Sequence, residues 1–217
     1  MGLSPFKSPR MRFHLAILAL ALAASMATGA NRRPARVTGN QLIAGLRGGP
    51  DVRHDFDKPY VQGYMAGVAD ITQGVQWCPP AGLDVVQMDE RVLDVLAARP
   101  AGSMPDAAAA VLVEQFRSAF PLKDGACAAQ PRMTGDRFMS WLLGDVPERE
   151  RYAAGYVGGV VDATQGISWC APGRIKPHEL EERGWANLVD RPRGSMPGNA
   201  AVLLYRQFVS KYPCTHR

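Results

Sequence analysis

The chain has 217 residues, 47% apolar and 21% charged, a balance that supports a packed core and excludes a largely disordered protein. Its pI of 9.2 comes from the amino terminus. Of 25 Lys and Arg, six lie before Thr38, which leaves 25 − 6 = 19 basic against 20 acidic residues from Thr38 onward. That part has no global charge to favour nucleic acid.

The first segment reads as an export signal. Lys7, Arg10 and Arg12 form a basic stretch, Phe13 to Ala24 an apolar run, and Ser25-Met26-Ala27 a small-residue cleavage site. The run is too short for the roughly 20 residues that cross a bilayer. Residues 1–27 are therefore expected to be a cleaved signal peptide, with cleavage as late as Ala30, and the mature chain is expected in the periplasm without a transmembrane span. Residues 31–37, with Arg32, Arg33 and Arg36, read as a flexible arm.

Beyond the arm the chain repeats itself at an offset of 92. Gly63-Tyr64, Gly67-Val68 and Asp70 match Gly155-Tyr156, Gly159-Val160 and Asp162. Thr72-Gln73-Gly74 and Trp77-Cys78 match Thr164-Gln165-Gly166 and Trp169-Cys170. Gly102-Ser103-Met104-Pro105 recurs as Gly194-Ser195-Met196-Pro197. So many identities at one spacing define two tandem copies, 38–130 and 131–217.

Each copy reads as four helices, and the fold class is all-α. The first helix has Leu42, Ile43 and Leu46 as its apolar face, matched by Phe138, Met139, Leu142 and Leu143. The second starts near Pro59 and keeps glycines beside Tyr64 and Val68. Gly costs about 1 kcal/mol in a helix interior relative to Ala. Keeping Gly63, Gly67, Gly155 and Gly159 therefore predicts that another helix crosses closely, with Asp70 and Asp162 bonded to a neighbouring backbone or Tyr. The third helix covers Asp84 to Ala98, with Met88, Val92, Val95 and Leu96 inward, an Asp84–Gln87 capping box, and Pro177 opening its counterpart. Ser103 reads as the cap of the fourth, which Pro121 and Pro213 stop. No stretch alternates as strands do.

Four cysteines in an exported chain imply two disulfides. Each copy holds one Cys after its second helix and one after its fourth, so the repeat selects Cys78–Cys127 and Cys170–Cys214 among the three pairings. A metal site is disfavoured: there is no Cys-x-x-Cys, and His54 and His178 have no counterparts in the other copy. No nucleophile elbow, phosphate loop or dinucleotide fingerprint appears, so neither catalysis nor a cofactor is expected. Trp77 and Trp169, with Gln73 and Gln165, are the candidates for contact with a partner, although packing of each Trp against its disulfide is the simpler reading.

These residues resemble the Rap/Tai group of periplasmic immunity proteins associated with type VI secretion. The likeness lies in the Gly-Tyr-x-x-Gly-x-x-Asp helix (Gly63 to Asp70, Gly155 to Asp162), then Cys78-Pro79-Pro80 and Cys170-Ala171-Pro172. Arg99-Pro100 and Arg191-Pro192 follow, and the copies close in Phe120-Pro121 and Tyr212-Pro213-Cys214. The resemblance implies small disulfide-bonded helical domains, often dimeric, that block a peptidoglycan-cleaving effector of the cell-wall amidase type. A periplasmic binding or scaffold module without a toxin partner is the alternative, and an enzyme using Asp70 and Asp162 a distant third. The net charges, −4 for 38–131 (7 basic, 11 acidic) and +3 for 132–217 (12 basic, 9 acidic), add the expectation that the copies dock on each other.

Overall fold

The computed structural model describes residues 36–48, 56–100, 102–104, 106–122, 127, 130–172 and 175–214. The signal peptide, residues 31–35 of the arm and most of the polar stretch after the first helix lie outside these residues.

Eight α-helices and one 3-10 turn make up the described chain. They are α1 (Gly39–Arg47), α2 (Lys58–Thr72), α3 (Val85–Ala97), α4 (Ala108–Ala119), α5 (Gly135–Leu142), α6 (Pro147–Thr164), α7 (Pro177–Trp185), the 3-10 turn Ala186–Leu188, and α8 (Ala200–Lys211). Local signals set most boundaries. Thr38 accepts from the Gln41 amide while Gln41 reaches back, and Asp84 and Gln87 do the same at α3. Asp57 caps α2 ahead of Pro59, and Pro177 opens α7. The fourth helix of each copy stops just short of Pro121 and Pro213.

Three sequence expectations are corrected. Ser103 does not cap α4, which begins at Ala108. Its hydroxyl donates to the Pro100 carbonyl at 2.7 Å, while Met104 is buried and its carbonyl accepts from the Asn40 amide. The Ser-Met-Pro segment therefore ties α4 to the start of α1. Val95 and Leu143 are exposed, because α3 buries only the Met88–Val92–Leu96 stripe and α5 ends before Leu143. The arm is not free over its whole length: Val37 is fully buried and Arg36 is held in ion pairs.

Both disulfides close within a copy, Cys78–Cys127 and Cys170–Cys214. Each reinforces a backbone junction already present, since the Cys78 amide donates to the Phe120 carbonyl and the Cys170 amide to that of Tyr212.

The two copies meet through α2 and α6. A Cβ built on Gly63 would lie 1.9 Å from the Tyr152 carbonyl oxygen, and one on Gly67 2.2 Å from that of Tyr156. Reciprocally, Gly155 faces the Tyr60 carbonyl at 1.9 Å and Gly159 that of Tyr64 at 2.1 Å. No side chain fits in these gaps, so the four glycines let two backbones touch. The cores follow the same crossing: Ala66 and Ile71 of α2 belong to the core of the second copy, and Ala154 and Ala163 of α6 pack on that of the first.

Candidate functional site

The polar groups that sequence reasoning singled out converge on this crossing. Asp70, one turn beyond Gly67, is buried. It accepts from the backbone amides of Arg132 (2.9 Å) and Met133 (3.1 Å) and from the Tyr156 hydroxyl (2.7 Å). Asp162 repeats the arrangement: it accepts from the Arg36 amide at 3.1 Å and the Tyr64 hydroxyl at 2.8 Å. Each carboxylate thus takes its tyrosine from the other copy's long helix and clamps the segment that leads into the other copy's first helix. The expected backbone and Tyr partners are present, but they come across the joint.

An arginine sits over each carboxylate. Arg132 donates to Asp89 from Nη2 (2.6 Å) and Nε (3.1 Å), and its Nη1 lies 3.5 Å from Asp70, an ion contact rather than a formed hydrogen bond. The same guanidinium rests 5.7 Å from the Trp77 ring centre and 5.5 Å from that of Phe116. Arg36 pairs with Glu181 and stands 4.0 Å from Asp162. Asp89 and Glu181 are themselves matched at offset 92. Arg151–Asp57, at 3.1 Å, adds a more exposed link. All these ion pairs run between the copies.

Burial governs the protonation of these groups. It pushes the Asp70 and Asp162 carboxyls above the usual carboxylate range, and the bonds from Arg132 and Tyr64 offset it only in part. The Tyr64 and Tyr156 phenols are driven well up, by burial first and by the facing carboxylates next. Perturbed carboxyls often mark catalysis. Here Asp70 is buried, Asp162 nearly so, and both are occupied by donors that hold the two copies together.

The four side chains proposed for partner contact form no such surface. Trp77 and Trp169 are fully buried. They stack on Phe116 and Phe208 at 4.5 and 4.6 Å, and each indole N–H donates to Thr72 or Thr164 at 2.9 Å. Gln73 is buried with its side-chain nitrogen unpartnered, and Gln165 is half-buried; their backbone amides close α2 and α6 on Ala69 and Val161. These positions support each copy's core and helix ends.

Arg36 and Arg132 are the residues that the reading of the sequence missed. The signal was present: Arg36-Val37-Thr38-Gly39 repeats as Arg132-Met133-Thr134-Gly135, but at an offset of 96. Between this motif and the Gly-Tyr motif copy one carries four more residues than copy two (96 − 92 = 4), so a search at 92 loses the match. Among the described residues no group of His, Cys, Asp and Glu could hold a metal, and no helix is long and apolar enough to cross a membrane.

Two fused, disulfide-closed helical modules, joined by reciprocal polar clamps, define a duplicated helical scaffold. The chain belongs to the Rap1a immunity proteins, whose family model matches it twice, over residues 38–122 and 134–214. Members of this family bind an effector and are generally not enzymes. No curated protein and no solved structure matches the chain.

Proposed function

We propose that this chain is an exported, non-enzymatic immunity protein that binds and inhibits a peptidoglycan-degrading effector of a type VI secretion system in the periplasm. Membership of both copies in an immunity family carries the reading. The signal-like segment before Thr38 and the intradomain disulfides agree with an oxidising, extracytoplasmic compartment. A cell-wall amidase is the class of effector that the family resemblance favours.

In this reading the two copies act as one closed unit. The touching α2 and α6 backbones and the exchanged Tyr–Asp bonds support it. Fusion makes the second copy's effective concentration high, so a joint too weak for separate chains would still close.

The test is co-production of the chain with a periplasm-directed amidase effector encoded beside it. Full-length protein should prevent lysis, whereas a form lacking residues 1–30 should not. The purified chain should also abolish cleavage of isolated peptidoglycan in a saturable manner. Undiminished cleavage at a large molar excess would overturn the reading.

A further inference from the structure

The two ends of the joint are built alike but charged differently. Beside Arg132 lies a second guanidinium, that of Arg137, whose Nη1 donates to the Arg132 carbonyl at 3.5 Å. At the other end the position matching Arg137 is Gln41, whose side chain is used in the α1 capping box. There, two carboxylates, Asp162 and Glu181, face the Arg36 guanidinium. The three side chains are only 11%, 6% and 20% exposed for Arg36, Asp162 and Glu181. Among the described residues, the other titratable groups facing this cluster are the Tyr64 hydroxyl on Asp162, Tyr60 beside Glu181, and exposed His178, three residues before Glu181 on α7. Arg151 lies over the Tyr60 ring and is paired with Asp57. Two acids on one guanidinium, largely out of water, carry a negative charge that a proton would relieve.

We propose that this end of the joint is a proton-linked latch, in which seating the Arg36–Val37 lead on α6 and α7 takes up a proton from solvent at one of the two acids that face Arg36, Asp162 or Glu181. The lead is then held more firmly in mild acid than above neutral pH. Burial raises both carboxyls; the Tyr64 hydroxyl and Arg36 offset this only in part at Asp162, and at Glu181 Arg36 lowers while the nearby Asp162 carboxylate raises further. A carboxyl raised in the closed state contributes stability that is fully present below its ordinary value of about 4 and is lost as pH climbs through the raised value. The latch thus answers to the pH range from about 4 upward, which an extracytoplasmic protein meets directly.

The latch rests on the reading that the two copies form one closed unit. The test uses full-length mature protein between pH 5 and 8, with thermal midpoint, amide exchange of the peptide containing Val37, and small-angle scattering. Expected is a compact molecule throughout, with faster Val37 exchange (after correction for intrinsic rates) and a lower midpoint at pH 8. Glu181→Gln, which removes the surplus charge, should raise the pH 8 midpoint by about 2–4 °C and flatten both trends. Asp89→Asn at the other end should leave them. A Glu181→Gln midpoint that falls at pH 8 would make Glu181 an ordinary ion-pair partner and overturn the latch. Trends abolished by His178→Gln would overturn it too, by moving the titration to the histidine. An extended molecule at every pH would instead remove the closed-unit reading itself, and the latch with it.

Discussion

Copy one and copy two use the same plan with different thoroughness. Each seats the other's lead segment on a buried Asp, yet the Arg132 end is sealed and the Arg36 end is leakier. The Arg132 side chain is 2% exposed and rests on two aromatic rings, whereas Arg36 is 11% exposed. The rings account for the difference: Trp77 and Phe116 cover the Arg132 guanidinium. A duplicated sequence can keep a motif twice and still make one instance the anchor and the other the adjustable end.

The copies should respond alike where their geometry is alike. The largest effect expected is loss of a disulfide. Loops of 49 and 44 residues give about 4 kcal/mol each in the chain-entropy model, so Cys78→Ser/Cys127→Ser and Cys170→Ser/Cys214→Ser should cost nearly the same. Denaturant titration of the two double variants checks this. A gap of more than about 2 kcal/mol between them would mean that one copy leans on its bridge far more than the plan implies.

The next largest effect should separate the copies. Arg132→Ala leaves Asp70 buried and Asp89 without its guanidinium, and should cost about 3 kcal/mol, near the lower figure for breaking a buried pair because Asp89 can turn to water. Arg36→Ala should cost about 1 kcal/mol at neutral pH, since its site is more open and its partners carry a surplus charge. Equal losses would remove the distinction between anchor and adjustable end.

At the crossing of α2 and α6 the copies should become indistinguishable again. Gly67→Ala and Gly159→Ala each place a methyl against a carbonyl oxygen about 2 Å away, and should each cost about 2 kcal/mol through forced separation of the helices. The loss should appear both in the thermal midpoint and in a larger hydrodynamic radius. Unchanged midpoints for both variants would show that the backbones do not touch.

What the sequence discloses follows from the range of each interaction. Caps such as Asp84–Gln87, the prolines that open or stop helices and the within-copy disulfides act locally or through the repeat, and all were readable. The glycines of the second helix announced a close neighbour but could not say that the neighbour was their own counterpart. Tyr64 and Asp162 lie 98 residues apart, and nothing in either motif favours that pairing over Tyr64 with Asp70 on its own helix. Trp77 shows a related limit: a kept aromatic can read as contact surface or as core, packing being the simpler reading, and its full burial places it in the core. Ser103 looked like a cap because an acid follows three residues later, yet its hydroxyl is spent on Pro100 and α4 starts four residues beyond Met104.

The smallest effect tests whether an element of one copy transfers to the other. Asn199 precedes α8, where its side-chain oxygen accepts from the Ala201 amide at 2.8 Å and its nitrogen donates to the Asp70 carbonyl at 3.0 Å. Copy one has Ala107 at the matching place, with no side-chain cap. The backbones nonetheless agree: φ −57° and ψ 124° at Ala107 against −60° and 120° at Asn199. Both residues also pair with the threonine that opens the first helix of their copy, Thr38 for Ala107 and Thr134 for Asn199. Asn199→Ala should therefore cost about 1 kcal/mol, the usual worth of an N-cap. Ala107→Asn should return a little less, about 0.5 kcal/mol, because the new side chain must be ordered to make the same bonds. Because the acceptor of the cross-copy bond is a main-chain carbonyl, the graft is best compared with Ala107→Asp, which can cap the helix but has no side-chain N–H to donate, both read by thermal midpoint. If the two variants gain alike, Ala107→Asn is a simple helix cap. If Asn gains more than Asp, the graft has rebuilt the cross-copy bond to the α6 end. A loss of stability from Ala107→Asn would show that the α4 end of the joint is packed differently from the α8 end despite the shared backbone, and the equivalence of the two clamps would then fail at that position.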